Sequence, residues 1–202
     1  MHSLLVSKII DLEWLMFTSV NEGKARASCQ DDKAMFAVMR AAQFEAWPPD
    51  IQDSYLCDLR EANRTGRNLL AEKYIHMMRS TAPKDYEELV EAVERPSERG
   101  CELAREINDA LLSQTHKLNE RYPKLSKQGR PLYSSEDRFG VTSIETYQLG
   151  ELLTYSLKTL VALSNYVDSE NGKLLAERIL ENTIRYYGYQ SLEHAEKAIR
   201  GV

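Results

Sequence analysis

Glu151 stands between two tyrosines at a spacing that places all three side chains on one face of a helix. Tyr147 precedes it and Tyr155 follows it, each by about one helical turn. Burial would raise the pKa of the carboxyl group and suit it to proton transfer, whereas hydrogen bonds from the phenols would lower the pKa. The pattern therefore predicts either an acid–base site or a structural network of Tyr and Glu, anchored by Arg26, Arg40 or Arg130.

Further polar residues are candidates for a ligand site. Glu45 lies one turn from Ala41 on a partly apolar helical face, with Gln43 close by on the same helix. Arg26 and Arg130 lie on the loops that follow Gly23 and Gly129, and we expect them to hold an anionic group through forked hydrogen bonds. The simpler alternative for both arginines is a surface salt bridge.

Two Ser-x-x-Asp segments, Ser28 to Asp31 and Ser134 to Asp137, could present polar groups to a ligand from paired loops. A helix cap explains them more simply, because serine oxygens satisfy the free amides of a first helical turn. Cys29 lies next to Ser28, where a helix dipole would favour the thiolate. The absence of a nearby histidine argues against a catalytic thiol, so Cys29 is retained only as a ligand-binding candidate.

A metal site depends on Glu72 and His76, which are one helical turn apart, with Glu177 and Glu181 in corresponding positions. Carboxylates and one imidazole could hold two metal ions inside a helical bundle. The Glu-x-x-His signature of such sites is missing, and pairs of glutamates at this spacing are common on solvated helices. We therefore expect no metal, with a carboxylate-bridged metal protein kept as an alternative.

Composition limits the class of protein that must position these residues. The chain has 202 residues, is 43% hydrophobic and carries a net charge of -5 without a basic cluster, which disfavours a nucleic-acid surface. No apolar run reaches the roughly 20 residues that cross a bilayer, so we expect no membrane segment. The chain has three cysteines, an odd number, and they lack Cys-x-x-Cys spacing. This pattern favours reduced thiols in a cytoplasm over a disulfide framework.

Apolar residues recur at intervals of three and four, which predicts an all-α fold in one domain spanning 1–202. Asp50 is expected to cap one helix, and Pro123 to end another before a polar loop that extends to Gly140. A capping box at Thr142 to Glu145 predicts one helix as far as Val167. The predicted helices are 3–21, 31–46, 50–64, 69–80, a helix from Pro83, 97–122, 142–167, 173–187 and 190–199.

The two halves of the chain align as diverged copies, covering about 3–94 and 97–200. At an offset of 105, Leu69 to Lys73 matches Leu174 to Arg178, and duplicated halves usually pack about an approximate twofold axis. Pro48 and Pro49 align with Thr154 and Tyr155, so the second copy has no proline at these positions. The two helices that the prolines separate in the first copy are therefore expected to form one continuous helix in the second copy. An offset of 106 pairs Gly23 with Gly129, Ser28 with Ser134, Asp31 with Asp137 and Glu45 with Glu151.

Several segments together resemble the bacterial domain-of-unknown-function family 4125, and the resemblance covers nearly the whole chain. It implies a helical protein of the bacterial cytoplasm and brings no established activity, cofactor or catalytic residue. The segments are Ala27 to Gln30, Gln43 to Trp47, Gly66 to Leu70, Ser134 to Asp137 and Gly150 to Tyr155.

The sequence favours a helical protein that binds a small molecule in a polar pocket between the two repeats. Whether the protein is also an acid–base enzyme is left open by the sequence. Glu45, Glu151, Tyr147 and Tyr155 are its catalytic candidates, and Arg26, Arg130, Gln43 and Cys29 its ligand-binding candidates. The alternative from another class is a helical adaptor that docks a partner protein, for which Tyr186, Tyr187 and Tyr189 offer an aromatic anchor. Cofactor, substrate and oligomeric state are not specified by any pattern.

Overall fold

The computed structural model describes residues 3–20 and 31–199, and its regular elements in these ranges are helices, which confirms the all-α prediction. None of the helices in this part of the chain has the length and apolar character needed to cross a membrane. The eleven α-helices of the described ranges are α1 (Leu4–Thr18), α2 (Lys33–Phe44), α3 (Pro49–Thr65), α4 (Leu69–Thr81), α5 (Pro83–Leu89), α6 (Glu98–Arg121), α7 (Pro123–Ser126), α8 (Ile144–Leu152), α9 (Leu157–Val167), α10 (Leu175–Tyr186) and α11 (Leu192–Ala198).

Helix starts follow the local sequence, with two corrections. Asn68 caps α4 by accepting a hydrogen bond from the amide of Ala71. Asp50 does not cap α3, because Pro49 already occupies the first helical position, where its missing N–H has no consequence. For the same reason Pro123 begins the short helix α7 rather than only ending α6.

The expected continuous helix over 142–167 is wrong, because the chain breaks between α8 and α9. Ser156 caps α9 by accepting from the amide of Thr159 at 3.2 Å, and Asp58 accepts from the amide of Ser156 at 3.1 Å. A serine cap held by a neighbouring helix thus ends α8 without a proline. At the start of α8, Ser143 rather than Thr142 is the capping residue.

The helices pack in two similar groups. α1 contacts α2, α3 and α4, and α6 contacts α8, α9 and α10. α4 also packs against α8, and α10 packs against α2. The two groups therefore meet at these two contacts and also where α3 crosses α9. At the α3–α9 crossing the hydroxyls of Ser54 and Thr159 are 2.8 Å apart in a buried hydrogen bond.

The main hydrophobic core surrounds this crossing and is rich in aromatic rings. Tyr55 and Tyr155 have ring centroids 4.7 Å apart, and Trp47 packs edge-on against both. A close crossing of α4 and α8 borders the core, because a Cβ atom on Gly150 would lie 3.0 Å from the carbonyl oxygen of Lys73. This approach brings Glu151, the next residue along α8, against α4.

Candidate functional site

The guanidinium group of Arg40 lies buried between two carboxylates. Its Nε and Nη2 atoms donate to Glu13 at 2.6 and 2.5 Å, and Nη2 and Nη1 donate to Glu151 at 2.9 and 3.1 Å. Nη1 also donates to the side-chain oxygen of Gln43 at 2.9 Å. Since a guanidinium has five N–H groups, every donor of Arg40 has an acceptor.

Lys73 adds a second cation from α4. Its ammonium group donates to Glu151 at 2.5 Å, and the side chain is only 2% exposed. The same ammonium lies 3.4 Å from the centroid of the Tyr147 ring, a cation–π contact. Arg130 packs on this ring as well, with its guanidinium carbon 4.8 Å from the centroid.

Two phenols and one amide complete the hydrogen bonds. Tyr55 donates to Glu13 and Tyr155 donates to Glu151, both at 2.7 Å, while the Gln43 amide donates to Glu151 at 2.8 Å. The two acids and two bases balance in charge, so no net charge is buried. We call Glu13, Arg40, Lys73 and Glu151 the buried charge cluster.

The electrostatics keep Glu151 ionised. Burial alone would raise the pKa of Glu151, but Arg40 and Lys73 outweigh it and hold the pKa well below the ordinary value. Burial first, and then the adjacent carboxylates, raise the pKa of Tyr55 and Tyr155 well above the ordinary value. Glu151 is therefore a carboxylate at neutral pH and both phenols are donors, an arrangement of stable ion pairs.

Glu45 is not part of the cluster, and the expected shared interior pocket of Glu45 and Glu151 is not formed. Glu45 follows the last residue of α2 as its C-cap, is exposed, and accepts a hydrogen bond from the Tyr186 hydroxyl at 2.9 Å. Burial and then this hydrogen bond raise the pKa of Tyr186 to about 12. The second carboxylate facing Arg40 comes from α1, as Glu13.

The other predicted ligand-binding residues are dispersed or undescribed. Arg130 is exposed and donates to the carbonyl of Thr142 at 3.1 Å, away from the hydrogen bonds of the cluster. Gln43 is half-buried at the edge of the cluster. Arg26 and Cys29 lie outside the described residues, as does Ser28.

The three glutamates among the metal candidates pair with arginines. Glu72 accepts two hydrogen bonds from Arg67 at 2.9 and 2.7 Å, while Nε2 of His76 is buried without a hydrogen-bond partner. Glu177 pairs with Arg121 at 3.0 Å, and Glu181 pairs with Arg185 at 3.8 Å. Within residues 3–20 and 31–199, no group of three His, Cys, Asp or Glu side chains is placed to hold a metal ion.

Comparison with protein families gives one match that spans both groups of helices. The model described as "Protein of unknown function (DUF4125)" matches residues 3–197. The chain belongs to this family. The resemblance carried by the segments quoted above is therefore confirmed, and the description of DUF4125 supplies no activity. Comparisons with curated proteins and with solved structures gave no match.

Proposed function

We propose that this protein is a helical adaptor, which binds a partner protein through the exposed side of α2 and α10 and performs no catalysis there. The observation that carries the proposal is a group of large apolar side chains open to solvent. Met35 and Met39, one turn apart on α2, are 44% and 47% exposed, and Tyr186 and Tyr187 at the end of α10 are 37% and 53% exposed. We call these four residues the α2–α10 surface.

The four side chains form one surface rather than scattered exposed residues. The Tyr187 hydroxyl lies 3.1 Å from the sulfur of Met35, and Tyr186 donates to Glu45 at the end of α2. Methionine side chains adapt their shape to a bound partner, and tyrosines supply contact area with little loss of conformational entropy. Grouped exposed apolar residues of this kind are typical of binding sites.

Charge selects the class of partner. Asp31 and Asp32 precede α2 and Glu45 follows it, so exposed acidic residues stand at both ends of the surface. A partner helix that carries apolar residues on one side and basic residues near its ends is complementary to this pattern. We therefore propose a basic amphipathic helix of another protein as the occupant.

We further propose that the two halves of the chain are diverged copies. Several contacts support this: α1 packs on α3 as α6 packs on α9, and α4 packs on α8 as α10 packs on α2. Ser54 and Thr159, which an offset of 105 makes equivalent, contact each other where α3 crosses α9. An approximate twofold axis through this crossing accounts for that self-contact.

Under the repeat, Glu151 and Glu45 occupy corresponding positions in different environments. Glu151 is 5% exposed and accepts hydrogen bonds from Arg40, Lys73, Gln43 and Tyr155, whereas Glu45 is exposed beside Tyr186. One copy therefore stabilises the interior, and the other copy is accessible to a partner. This division supports a binding role for the α2–α10 surface.

A small-molecule site is a second proposal. It is based on Lys73, a cation of the cluster that is covered by the half-buried ring of Tyr147. The ammonium of Lys73 has hydrogen-bond capacity beyond its contact with Glu151, and Tyr147 lies over it. Rotation of Tyr147 would admit a small anion to Lys73. The low pKa of Glu151 makes this a binding site rather than an acid–base centre.

The cytoplasmic location is also proposed. Cys57 is an exposed free thiol and Cys101 a half-buried one, and free thiols of this kind persist in a reducing compartment.

Substitution of Tyr187 by Ala or of Met39 by Glu should weaken partner binding by at least about tenfold without unfolding the chain, because central anchors dominate interface energies. Wild type and both variants would be isolated from the host and their bound proteins quantified, with Leu89→Glu as a control on α5. Leu89 is similarly exposed, at 42%, but lies on another helix.

A protein that depends on the surface would then be purified and its dissociation constant measured for all four chains. Tenfold or greater losses for both surface variants, with Leu89→Glu unchanged, support the proposal. Equal affinities for all four chains would contradict it, as would retention of a small molecule whose binding depends on Lys73.

A further inference from the structure

His116 lies on the exposed side of α6, with a glutamate one turn further along the same helix. Nε2 of His116 is 3.6 Å from Oε1 of Glu120, and the two side chains are 51% and 69% exposed. This distance is too long for a hydrogen bond, so the two atoms face each other without one. Both groups are ligands for divalent transition metals, the imidazole through a ring nitrogen and the carboxylate through an oxygen.

The distance between the two atoms suits a shared metal ion. Zinc lies about 2.0 to 2.1 Å from a histidine nitrogen and about 2.0 to 2.2 Å from a carboxylate oxygen, so at the tetrahedral angle two such ligand atoms are about 3.4 Å apart. The observed distance of 3.6 Å is close to this value. A small rotation of either exposed side chain therefore completes the geometry of a shared ion.

The other ring nitrogen of His116 contacts a tyrosine from a different part of the chain. Nδ1 lies 3.1 Å from the hydroxyl of Tyr133, and the ring centroids are 6.2 Å apart. A metal-binding histidine usually donates from its second ring nitrogen to an oxygen, which fixes the tautomer and the ring orientation. A proton on Nδ1 that is donated to the Tyr133 oxygen leaves the lone pair of Nε2 on the side of Glu120.

Tyr133 is itself held in place by bonds to α8. The amide of Glu145 donates to the carbonyl of Leu132 at 3.1 Å, and the amide of Ser134 donates to the side chain of Glu145 at 2.6 Å. Both neighbours of Tyr133 are thus bonded to the first turn of α8. The imidazole is therefore oriented by a fixed residue, which distinguishes this pair from ordinary pairs of charged residues on a solvated helix.

The cations near Glu120 do not occupy its carboxylate. Among the described residues Glu120 has no partner besides His116, and Lys117 forms no ion pair with it. The guanidinium of Arg121 pairs with a carboxylate of α10 at 3.0 Å, and the ammonium of Lys124 donates to a backbone carbonyl after α11 at 3.2 Å. The carboxylate is therefore open to an added ion.

From this geometry we propose that His116 and Glu120 bind a divalent transition-metal ion such as Zn²⁺, with Tyr133 as the positioning residue that orients the imidazole. Within the described ranges no third His, Cys, Asp or Glu joins the pair. Two protein ligands leave two of the four tetrahedral positions to water, so the ion exchanges with solvent and is not a structural ion. The site lies on α6 and is independent of partner binding at the α2–α10 surface.

Calorimetric titration of the untagged, metal-free protein with Zn²⁺ tests the proposal, and His194→Ala is the matched control. His194 is also exposed on a helix, but Gln190 and Ala198 are its neighbours one turn away, so it has no carboxylate at this spacing. We expect one saturable site, weakened at least about tenfold by His116→Ala and by Glu120→Gln, and about tenfold by Tyr133→Phe. His194→Ala should leave the affinity unchanged.

Diethylpyrocarbonate, which acylates neutral imidazoles, would then locate the ion. Bound Zn²⁺ should protect His116 and leave His194 reactive, as measured by mass spectrometry of the peptides. Equal affinities for wild type and His116→Ala would overturn the proposal, as would the absence of saturable binding or equal protection of the two histidines. Unchanged affinity for Tyr133→Phe would overturn the role assigned to the tyrosine.

Discussion

Replacement of Glu151 by Gln is expected to lower the free energy of unfolding by about 3 to 5 kcal/mol, because it removes one partner from a buried set of ion pairs. Glutamine keeps the shape of the side chain, but it leaves Arg40 and Lys73 buried with Glu13 as their one remaining carboxylate. The side-chain amide nitrogen of the new glutamine would also be a donor that faces other donors, namely the groups that donate to Glu151 in wild type. Urea denaturation followed by circular dichroism measures the loss.

Glu45→Gln is the matched control, because it makes the same chemical change at the glutamate that an offset of 106 aligns with Glu151. Glu45 is exposed, so its replacement should leave the unfolding transition nearly unchanged. Equal and small effects for the two substitutions would show that the buried charge cluster does not stabilise the fold. Unchanged stability for Glu151→Gln, combined with lost ligand binding, would favour the small-molecule proposal.

Replacement of Arg40 by Met should be at least as damaging at neutral pH, because it leaves the carboxylates of Glu13 and Glu151 with Lys73 as the one remaining cation of the cluster. We expect a loss of at least about 3 to 5 kcal/mol in the free energy of unfolding. The matched control is Arg64→Met, which removes a similar forked pair between Arg64 and Glu61 that is exposed. That change should be close to neutral, since solvent screens the pair.

The pH dependence of Arg40→Met should differ in sign from that of wild type. In wild type the pKa of Glu151 is lowered, so its contribution to stability is complete above the unfolded-state value of about 4.3 and is lost as the pH falls through the folded-state value. In the variant, burial without the arginine should raise the pKa of Glu151 above its value in the unfolded chain.

The variant should therefore become more stable as the pH falls from about 7 to about 5, by up to about 1.4 kcal/mol per pH unit for each proton taken up. Wild type should gain nothing from Glu151 over this range. Denaturation midpoints at several pH values would measure both slopes. Parallel slopes would contradict the assignment of Arg40 as a group that keeps Glu151 ionised.

Helix positions could be predicted because they depend on local chemistry. The predicted and observed limits of α4 and α6 agree within a residue or two, since Asn68, Ser97 and the flanking prolines act on their own turns. The break between α8 and α9 was not predicted because it depends on a contact between helices. Ser156 caps α9, and its amide is held by Asp58 of α3. That support depends on the tertiary structure.

The site was predicted in part. Glu151 and Tyr155 contact each other because they share a helical face, and Arg40, one of the three arginines expected as anchors, donates to Glu151. Glu13 and Lys73 were missed because their contacts with the cluster join residues 27 and 78 positions apart in the chain. A glutamate among the apolar residues of α1 was the available signal.

The ionisation state of Glu151 tests most directly the claim that the buried charges are structural. Glutamate labelled with ¹³C at the side-chain carboxyl would be followed by NMR from pH 8 downward, with the Glu151→Gln spectrum used for assignment. The result predicted is a Glu151 carboxylate that stays ionised through pH 4.5, because Arg40 and Lys73 hold its pKa well below the ordinary value. Protonation of Glu151 between pH 5 and pH 8 would contradict this account and identify the cluster as a centre for proton transfer.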